Sequence, residues 1–149
     1  MSSYHKIYYH VIFGTKNRTR SLNLERLPEL FKYIWGIFEK NDCFLYRING
    51  IEDHVHIVLE LNPVHSLADI IKDVKVASSL WIKKSGFFPL FEGWAEGYAA
   101  VTFSEKEKEI IVNYVKNQKE HHKKLTFFEE YKNFLIENNI PFEDKYLLN

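Results

Sequence analysis

The chain has 149 residues, with 20 basic and 20 acidic side chains and a formal net charge of zero. This length suits one domain with a sizeable core, so residues 1–149 are expected to form a single domain. Zero net charge excludes attraction of nucleic acid by the whole molecule, and any such surface must be a local patch. The single Cys43 excludes an intramolecular disulfide. With no membrane-length apolar run and no signal peptide, we expect a cytoplasmic protein.

The first elements are a strand, a basic loop and a helix. Residues 3–14 are rich in aromatic and β-branched side chains and predict a strand. The polar segment 15–21 is a loop in which Lys16 and Arg18 could bind phosphates, although simple solvation explains them equally well. Apolar residues then recur at helical spacing over 28–40, with Pro28 at the first helical position.

A histidine pair follows on a strand. Residues 44–51 predict a strand, and a two-residue turn joins it to DHVHIVLEL, which we expect to pair with it antiparallel. Because side chains alternate along a strand, His54 and His56 project from the same face. Two imidazoles on a rigid sheet face can form half of a metal site. Alone this is a weak signal, and a structural role for both histidines is the alternative.

A second helix, a loop and a further strand come next. Ser66 and Asp69 predict the start of the helix through a capping-box variant. One face of this helix carries Lys72, Lys75 and Lys83, which could contact DNA or could be a solvated face. Residues 86–96 predict a connecting loop with exposed aromatic rings, and residues 97–103 predict another strand.

Two capping boxes predict the last two helices. Ser104 and Glu107 begin a helix that is expected to run to about residue 122, and Thr126 and Glu129 begin one that runs to about residue 139.

An unusual row of polar residues lies on the first of these helices. Tyr114, Gln118 and His122 occur at i, i+4 and i+8, so they share one helical face. A tyrosine at such a spacing usually belongs to the core, but an amide and an imidazole on the same row are uncommon there.

These groups suit phosphodiester chemistry. A divalent cation held by His54, His56 and the Gln118 carbonyl would polarise a phosphodiester oxygen, and Tyr114 could then attack phosphorus to form a phosphotyrosine. A free phenol, with a pKa of about 10, is a poor nucleophile at neutral pH, so the metal and nearby cations must favour the phenolate. Imidazoles would also suit zinc, and the residues alone do not fix the metal.

Over nearly its whole length the chain resembles the single-tyrosine HUH transposases of small bacterial insertion sequences, the IS200-like type. The resemblance is carried by GIEDHVHIVLEL, KDVKVASSLWIKK, WAEGYAAVTFS and YVKNQKEHHKKLTFFEEY. It implies a fold of the α/β (α+β) class, with helices packed on an antiparallel sheet in a ferredoxin-like or RNA-recognition-like arrangement. It implies that Tyr114 is the nucleophile and that His54, His56 and Gln118 bind Mg²⁺ or Mn²⁺.

The resemblance also implies a substrate and an assembly. Such enzymes bind hairpins in single-stranded DNA at the element ends, and cleave and rejoin single strands through a 5′-phosphotyrosine. They act as homodimers in which the tyrosine helix reaches the histidines of the partner. The basic side chains expected to contact DNA are Lys16, Arg18, Lys72, Lys75 and Lys83. The sequence departs from the family at Ala95, where we expect a polar residue that matters for packing or for DNA contacts.

Three other functions remain open from the sequence. One is a rolling-circle replication initiator or a relaxase-like HUH nickase, although a relaxase usually carries its tyrosine before the histidines. A second is a domesticated relative that processes repetitive palindromes. The third is a non-catalytic module that binds single-stranded DNA on the same sheet.

Overall fold

In the computed structural model, which describes residues 2–147, four antiparallel strands form one sheet with helices on both faces. The strands are β1 (Tyr8–Gly14), β2 (Phe44–Ile51), β3 (His54–Glu60) and β4 (Ala99–Phe103). The helices are α1 (Leu27–Lys40), α2 (Leu67–Ser85), α3 (Lys108–Lys116), α4 (Gln118–His121) and α5 (Phe127–Glu137). The sheet order β2-β3-β1-β4, with α1 and α2 as connections, is ferredoxin-like and confirms the predicted class. None of the helices within residues 2–147 combines the length and the apolar character that crossing a bilayer requires.

The alternation of β3 divides the molecule into two layers. Val55, Ile57 and Leu59 are fully buried in the main core, which they share with apolar residues of α1 and α2. The opposite face carries the histidines, and a second apolar cluster forms there between the sheet and α5, including Ile12 and Phe127. The histidine face is therefore covered by α5.

Several predicted boundaries are confirmed and two strands are shorter than expected. Ser66 and Thr126 cap α2 and α5 as predicted, each side chain accepting a hydrogen bond from the backbone N–H three residues later. The predicted strand 3–14 begins only at Tyr8, because Tyr8 pairs with Glu60 and Phe103, the last residues of the neighbouring strands. The predicted strand 97–103 begins at residue 99.

The prediction of one helix reaching residue 122 was wrong, since the helical path breaks at Asn117. The carbonyl of Lys116 accepts a hydrogen bond of 2.9 Å from the Asn49 side chain on β2, and Asn117 has φ −98° and ψ 27°. Asn49 stands opposite His56 in the sheet, so this bond anchors the end of α3 to the histidine face. A tertiary contact thus takes the carbonyl that a continuous helix would have used.

The prediction that the aromatic rings of the loop after α2 are exposed was wrong. Phe88 and Phe91 are buried, and the Trp94 ring packs edge-on against Phe13 with 4.9 Å between ring centroids. The Trp94 indole N–H donates a hydrogen bond of 2.9 Å to Ser78 on α2. The loop therefore folds back onto the main core.

Candidate metal and tyrosine site

The histidine pair lies fully buried on β3, and each ring has a polar partner at Nδ1. His54 Nδ1–H donates a hydrogen bond of 2.7 Å to the Asp53 carboxylate. His56 Nδ1 lies 2.9 Å from Nε2 of His10 on β1. These partners leave Nε2 of His54 and of His56 available on the side of α5. A fixed partner on the second ring nitrogen is a common feature of histidines that bind metals.

The carboxylate of Glu130, on α5, lies where these nitrogens converge. Its Oε1 is 3.1 Å from His54 Nε2, 2.9 Å from His56 Nε2 and 2.9 Å from His122 Nε2. Glu130 itself is only 3% exposed. One carboxylate oxygen is therefore within hydrogen-bonding distance of three imidazoles.

The predicted glutamine and tyrosine reach the same carboxylate. Gln118 Oε1 lies 3.1 Å from His54 Nε2, while its Nε2–H donates to Glu130 Oε2 at 3.2 Å. The Tyr114 hydroxyl also donates to Glu130 Oε2, and its ring centroid is 6.0 Å from that of His56. The structure thus brings together the four residues that the sequence nominates, within one chain.

The chemistry of this donor set fits a cation. The Asp53 carboxylate and the Leu125 carbonyl only accept hydrogen bonds, so Nδ1 of His54 and of His122 carries the hydrogen. A neutral imidazole then directs the lone pair of Nε2 at Glu130 Oε1, which is also an acceptor. A proton or a metal ion between them removes this repulsion. The ligand atoms of His54, His122 and Glu130 all lie within 4.8 Å of one another, close enough to bind one ion.

Burial and hydrogen bonding shift the pKa values in opposite directions around the site. Burial lowers the pKa of His10 to about 3 and that of His56 to about 4. For His54 the effect of burial is outweighed by hydrogen bonds to Asp53 and Glu130, and its pKa is raised. Burial opposes ionisation of Glu130, but hydrogen bonds from three histidines hold its pKa well below the usual value.

The phenol of Tyr114 lies in surroundings that disfavour its ionised form. Burial raises its pKa, and the carboxylate of Glu130 that accepts its hydrogen bond raises it further. The sequence predicts cations near this phenol, whereas the described residues place a carboxylate against it. A cation bound at the site would offset that negative charge.

A known protein family matches most of this chain, including His54, His56, Tyr114 and Gln118. The sequence profile of the family described as "Transposase IS200 like" matches residues 3–118. The chain belongs to the IS200-like transposase family. The resemblance predicted from the histidine and tyrosine motifs is therefore confirmed.

Two relatives of this IS200-like transposase come from Deinococcus radiodurans. The ISDra2 transposase TnpA is 25% identical over 119 residues, which cover 76% of this chain and 85% of the relative. A crystal structure of a candidate transposase has 28% identity and a TM-score of 0.63, covering 79% of this chain and 95% of the other. A REP-associated tyrosine transposase bound to a REP hairpin has 14% identity and a TM-score of 0.55, covering 78% and 72%, and so shares the fold.

Three site residues of this IS200-like transposase were given no role by the sequence reasoning. They are His10, His122 and Glu130, and the last two lie beyond the family match, which ends at residue 118. A signal for Glu130 does exist, because it lies three residues after Phe127 and four before Phe134 and so falls on the helical face that carries these apolar rings. The contact of His10 with His56 depends on the pairing of β1 with β3, which the sequence alone does not reveal.

Three of the predicted DNA-contacting residues border a groove of about 820 Å³ between α2 and the loop after it. These are Lys16, Lys72 and Lys75. Arg18 instead lies over the Phe128 ring on α5, with its guanidinium carbon 5.1 Å from the ring centroid. Lys83 is exposed on α2 and does not border this groove.

Lys75 has a structural role that the sequence did not predict. Its ammonium donates hydrogen bonds to the carbonyls of Ala95, Glu96 and Gly97 at 2.7–3.1 Å, and burial lowers its pKa to about 8. Ala95 is buried, and its N–H donates to the carbonyl of Gly14. The departure from the family pattern at Ala95 therefore lies in a packed backbone position at the end of β1.

The burial of His10 predicts a stability that depends on pH. Below pH 6.5 the unfolded chain binds a proton that the folded chain refuses until about pH 3, so the free energy of unfolding should fall as the pH falls. His10→Gln should reduce this slope by up to about 1.4 kcal/mol per pH unit, and the full effect is expected between about pH 5.5 and 4. Urea denaturation in the presence of a chelator measures it. The exposed His5→Gln is the matched control, and an equal slope in both variants would contradict the assignment.

Proposed function

We propose that this IS200-like transposase cleaves and rejoins single-stranded DNA through a covalent bond to Tyr114. The supporting observation is the convergence of the Tyr114 hydroxyl, the paired histidines and Gln118 on one buried point. In cleavage, the phenolic oxygen forms a bond to phosphorus and the bond from phosphorus to O3′ breaks. The products are a 5′-phosphotyrosine and a 3′-hydroxyl, so the proton lost by the phenol is balanced by the one gained at O3′.

His54, His56 and Gln118 are proposed to hold Mg²⁺ or Mn²⁺. When bound, such an ion would stabilise the negative charge of the phosphodiester during transfer. The chain itself orients the ligands: Asp53 and His10 fix the histidine rings, and the Gln118 amide is held by Glu130 with its oxygen toward His54. Rejoining reverses the step, with a 3′-hydroxyl attacking the phosphotyrosine, and needs no nucleoside triphosphate.

Hairpins in single-stranded DNA are the proposed substrate. The structural neighbour bound to a REP hairpin supports this substrate class. The groove beside α2 offers Lys16 and Lys72 to a DNA backbone, and Glu92 and Glu96 also line it. Lys16 follows β1 two residues after Gly14, which pairs with His54, so the groove begins near the end of β1 that adjoins the site. Palindromes in the DNA flanking the reading frame are the substrates to test.

Tyr114→Phe should abolish cleavage and the covalent adduct while leaving hairpin binding within about twofold of wild type. Only the nucleophilic oxygen is removed, and the ring keeps its packing. The measurement is a denaturing gel of protein mixed with a labelled flanking hairpin, with wild type in excess chelator as the metal-free control. The exposed Tyr4→Phe, which lies outside the groove, is a matched variant that should keep activity. An adduct formed by Tyr114→Phe would place the nucleophile elsewhere, and binding without any wild-type adduct would favour the non-catalytic module.

The double variant Lys16→Ala, Lys72→Ala should weaken hairpin binding and flatten its dependence on salt. For each phosphate that a lysine no longer neutralises, the slope of log affinity against log salt should fall by about one. Lys84→Ala, on the same helix but outside the predicted stripe, is the control. Lys75 is kept unchanged because its removal would also release the loop at Ala95. A slope that matches wild type in the double variant would show that this face is only solvated.

We further propose a homodimer whose active sites are composite, as the family resemblance implies. The contacts of Tyr114 with the histidine face are made within one chain in the structure, and exchange of the helical segment between two chains would re-form the same contacts. Such exchange of identical elements, called domain swapping, can form a dimer from contacts that the single chain already makes.

Mixed dimers test the composite site. Tyr114→Phe and His54→Ala, each inactive, are unfolded together and refolded, and strand cleavage is measured. Random association should restore about a quarter of wild-type activity, because half the dimers are mixed and each holds one intact site. Absence of recovery, with mixed dimers demonstrated by differently tagged chains, would establish that the site works within one chain.

A further inference from the structure

The residues that close the site come from outside the part of the chain that matches the family. The match ends at residue 118, whereas His122 follows α4 and Glu130 lies on α5. We propose that Glu130 and His122 are metal ligands, so that the C-terminal segment completes the metal centre. This rests on the proposed function only in that the site binds a divalent cation.

The spacing of the ligand atoms supports this assignment. A cation about 2.1 Å from each ligand, in octahedral geometry, keeps neighbouring ligand atoms about 3 Å apart. Glu130 Oε1 lies 2.9 Å from His122 Nε2 and 3.1 Å from His54 Nε2, and Gln118 Oε1 lies 3.2 Å from His122 Nε2. These separations would allow the atoms to share one ion, and they are equally those of direct hydrogen bonds, so the affinity for a metal ion must be measured.

The hydrogen bonds of His122 determine which of its ring nitrogens is available to a metal ion. Its Nδ1–H donates to the backbone carbonyl of Leu125 at 2.8 Å, which directs Nε2 at Glu130. There Nε2 donates a hydrogen bond when the ring is protonated and offers its lone pair to a metal ion when the ring is neutral. Its side chain is only 5% exposed. A histidine placed there solely for packing would not need its Nε2 directed at the same oxygen as His54 and His56.

The carboxylate changes what the site would bind. Imidazoles alone favour zinc and other late transition metals, whereas carboxylate and amide oxygens favour magnesium and manganese. Glu130 supplies one negative charge, so a divalent ion would retain one positive charge with which to attract a DNA phosphate. Of the two metals proposed, Mn²⁺ fits this mixture of nitrogen and oxygen ligands better than Mg²⁺ does.

Glu130 also connects the metal site with the nucleophile. Its Oε1 faces the imidazoles, while its Oε2 accepts hydrogen bonds from the Tyr114 hydroxyl and the Gln118 amide. It is therefore a positioning residue for Tyr114 as well as a ligand. Removal of its charge should affect metal binding directly, which can be measured without any DNA substrate.

The test is the affinity of the purified full chain for Mn²⁺, measured by electron paramagnetic resonance of the free ion. Glu130→Gln and His122→Asn should each raise the dissociation constant at least 10-fold, since loss of even a residue that only supports a ligand typically costs about 10–100-fold. Glu129→Gln is the matched control. It removes a charge at the adjacent position, and glutamine preserves the capping box with Thr126. Its affinity should remain that of wild type.

Circular dichroism of each metal-free variant checks that it is folded, and His122→Asn carries the test if Glu130→Gln does not fold. Affinities equal to that of Glu129→Gln would overturn the proposal, as would no measurable binding of Mn²⁺ by wild type. Tighter binding by Glu130→Gln would also overturn it, because the carboxylate would then compete with the ion. An adduct at Tyr114 alongside unchanged Mn²⁺ affinity in the variants would leave the proposed function standing and remove only this inference.

Discussion

The burial of the Glu130 carboxylate is the constraint on which the rest of the site depends. Removing an ionised carboxylate from water costs several kcal/mol unless charges or hydrogen bonds compensate it. The compensation comes from His54 and His56 on the sheet and from His122 beyond the helical break. These contacts fasten α5 to the histidine face of the sheet, and the apolar cluster around Phe127 closes the remaining gap. One charged group thus joins elements distant in sequence.

The same arrangement holds the nucleophile in a protonated resting state. Tyr114 donates its hydrogen to Glu130, and both burial and this carboxylate raise the pKa of the phenol. The Phe127 ring stacks on His54 with centroids 3.9 Å apart, and His54 and His56 are fully buried. In this state α5 shields the histidine rings from solvent.

Local patterns predicted the parts of the structure that depend on neighbouring residues. The alternation of β3 predicted the shared face of His54 and His56, and the capping side chains predicted the starts of α2 and α5. The break at Asn117 was missed because a side chain 67 residues away from Lys116 takes the carbonyl of that residue. His10 acquires its position from the pairing of β1 with β3. Helical periodicity still identified Tyr114, Gln118 and His122, since the break left all three beside the histidine face.

The C-terminal segment forms a structural unit with the part that matches the family. A boundary at residue 118 would leave Ile12 and Ala99 without their cover from α5, and the histidine pair without the side chain on which both rings converge. Gly14 shows how closely α5 approaches the sheet, because a Cβ there would lie 2.5 Å from the Phe127 ring. A side chain at residue 14 would push α5 away from His54. The site therefore requires glycine at residue 14 as much as it requires glutamate at residue 130.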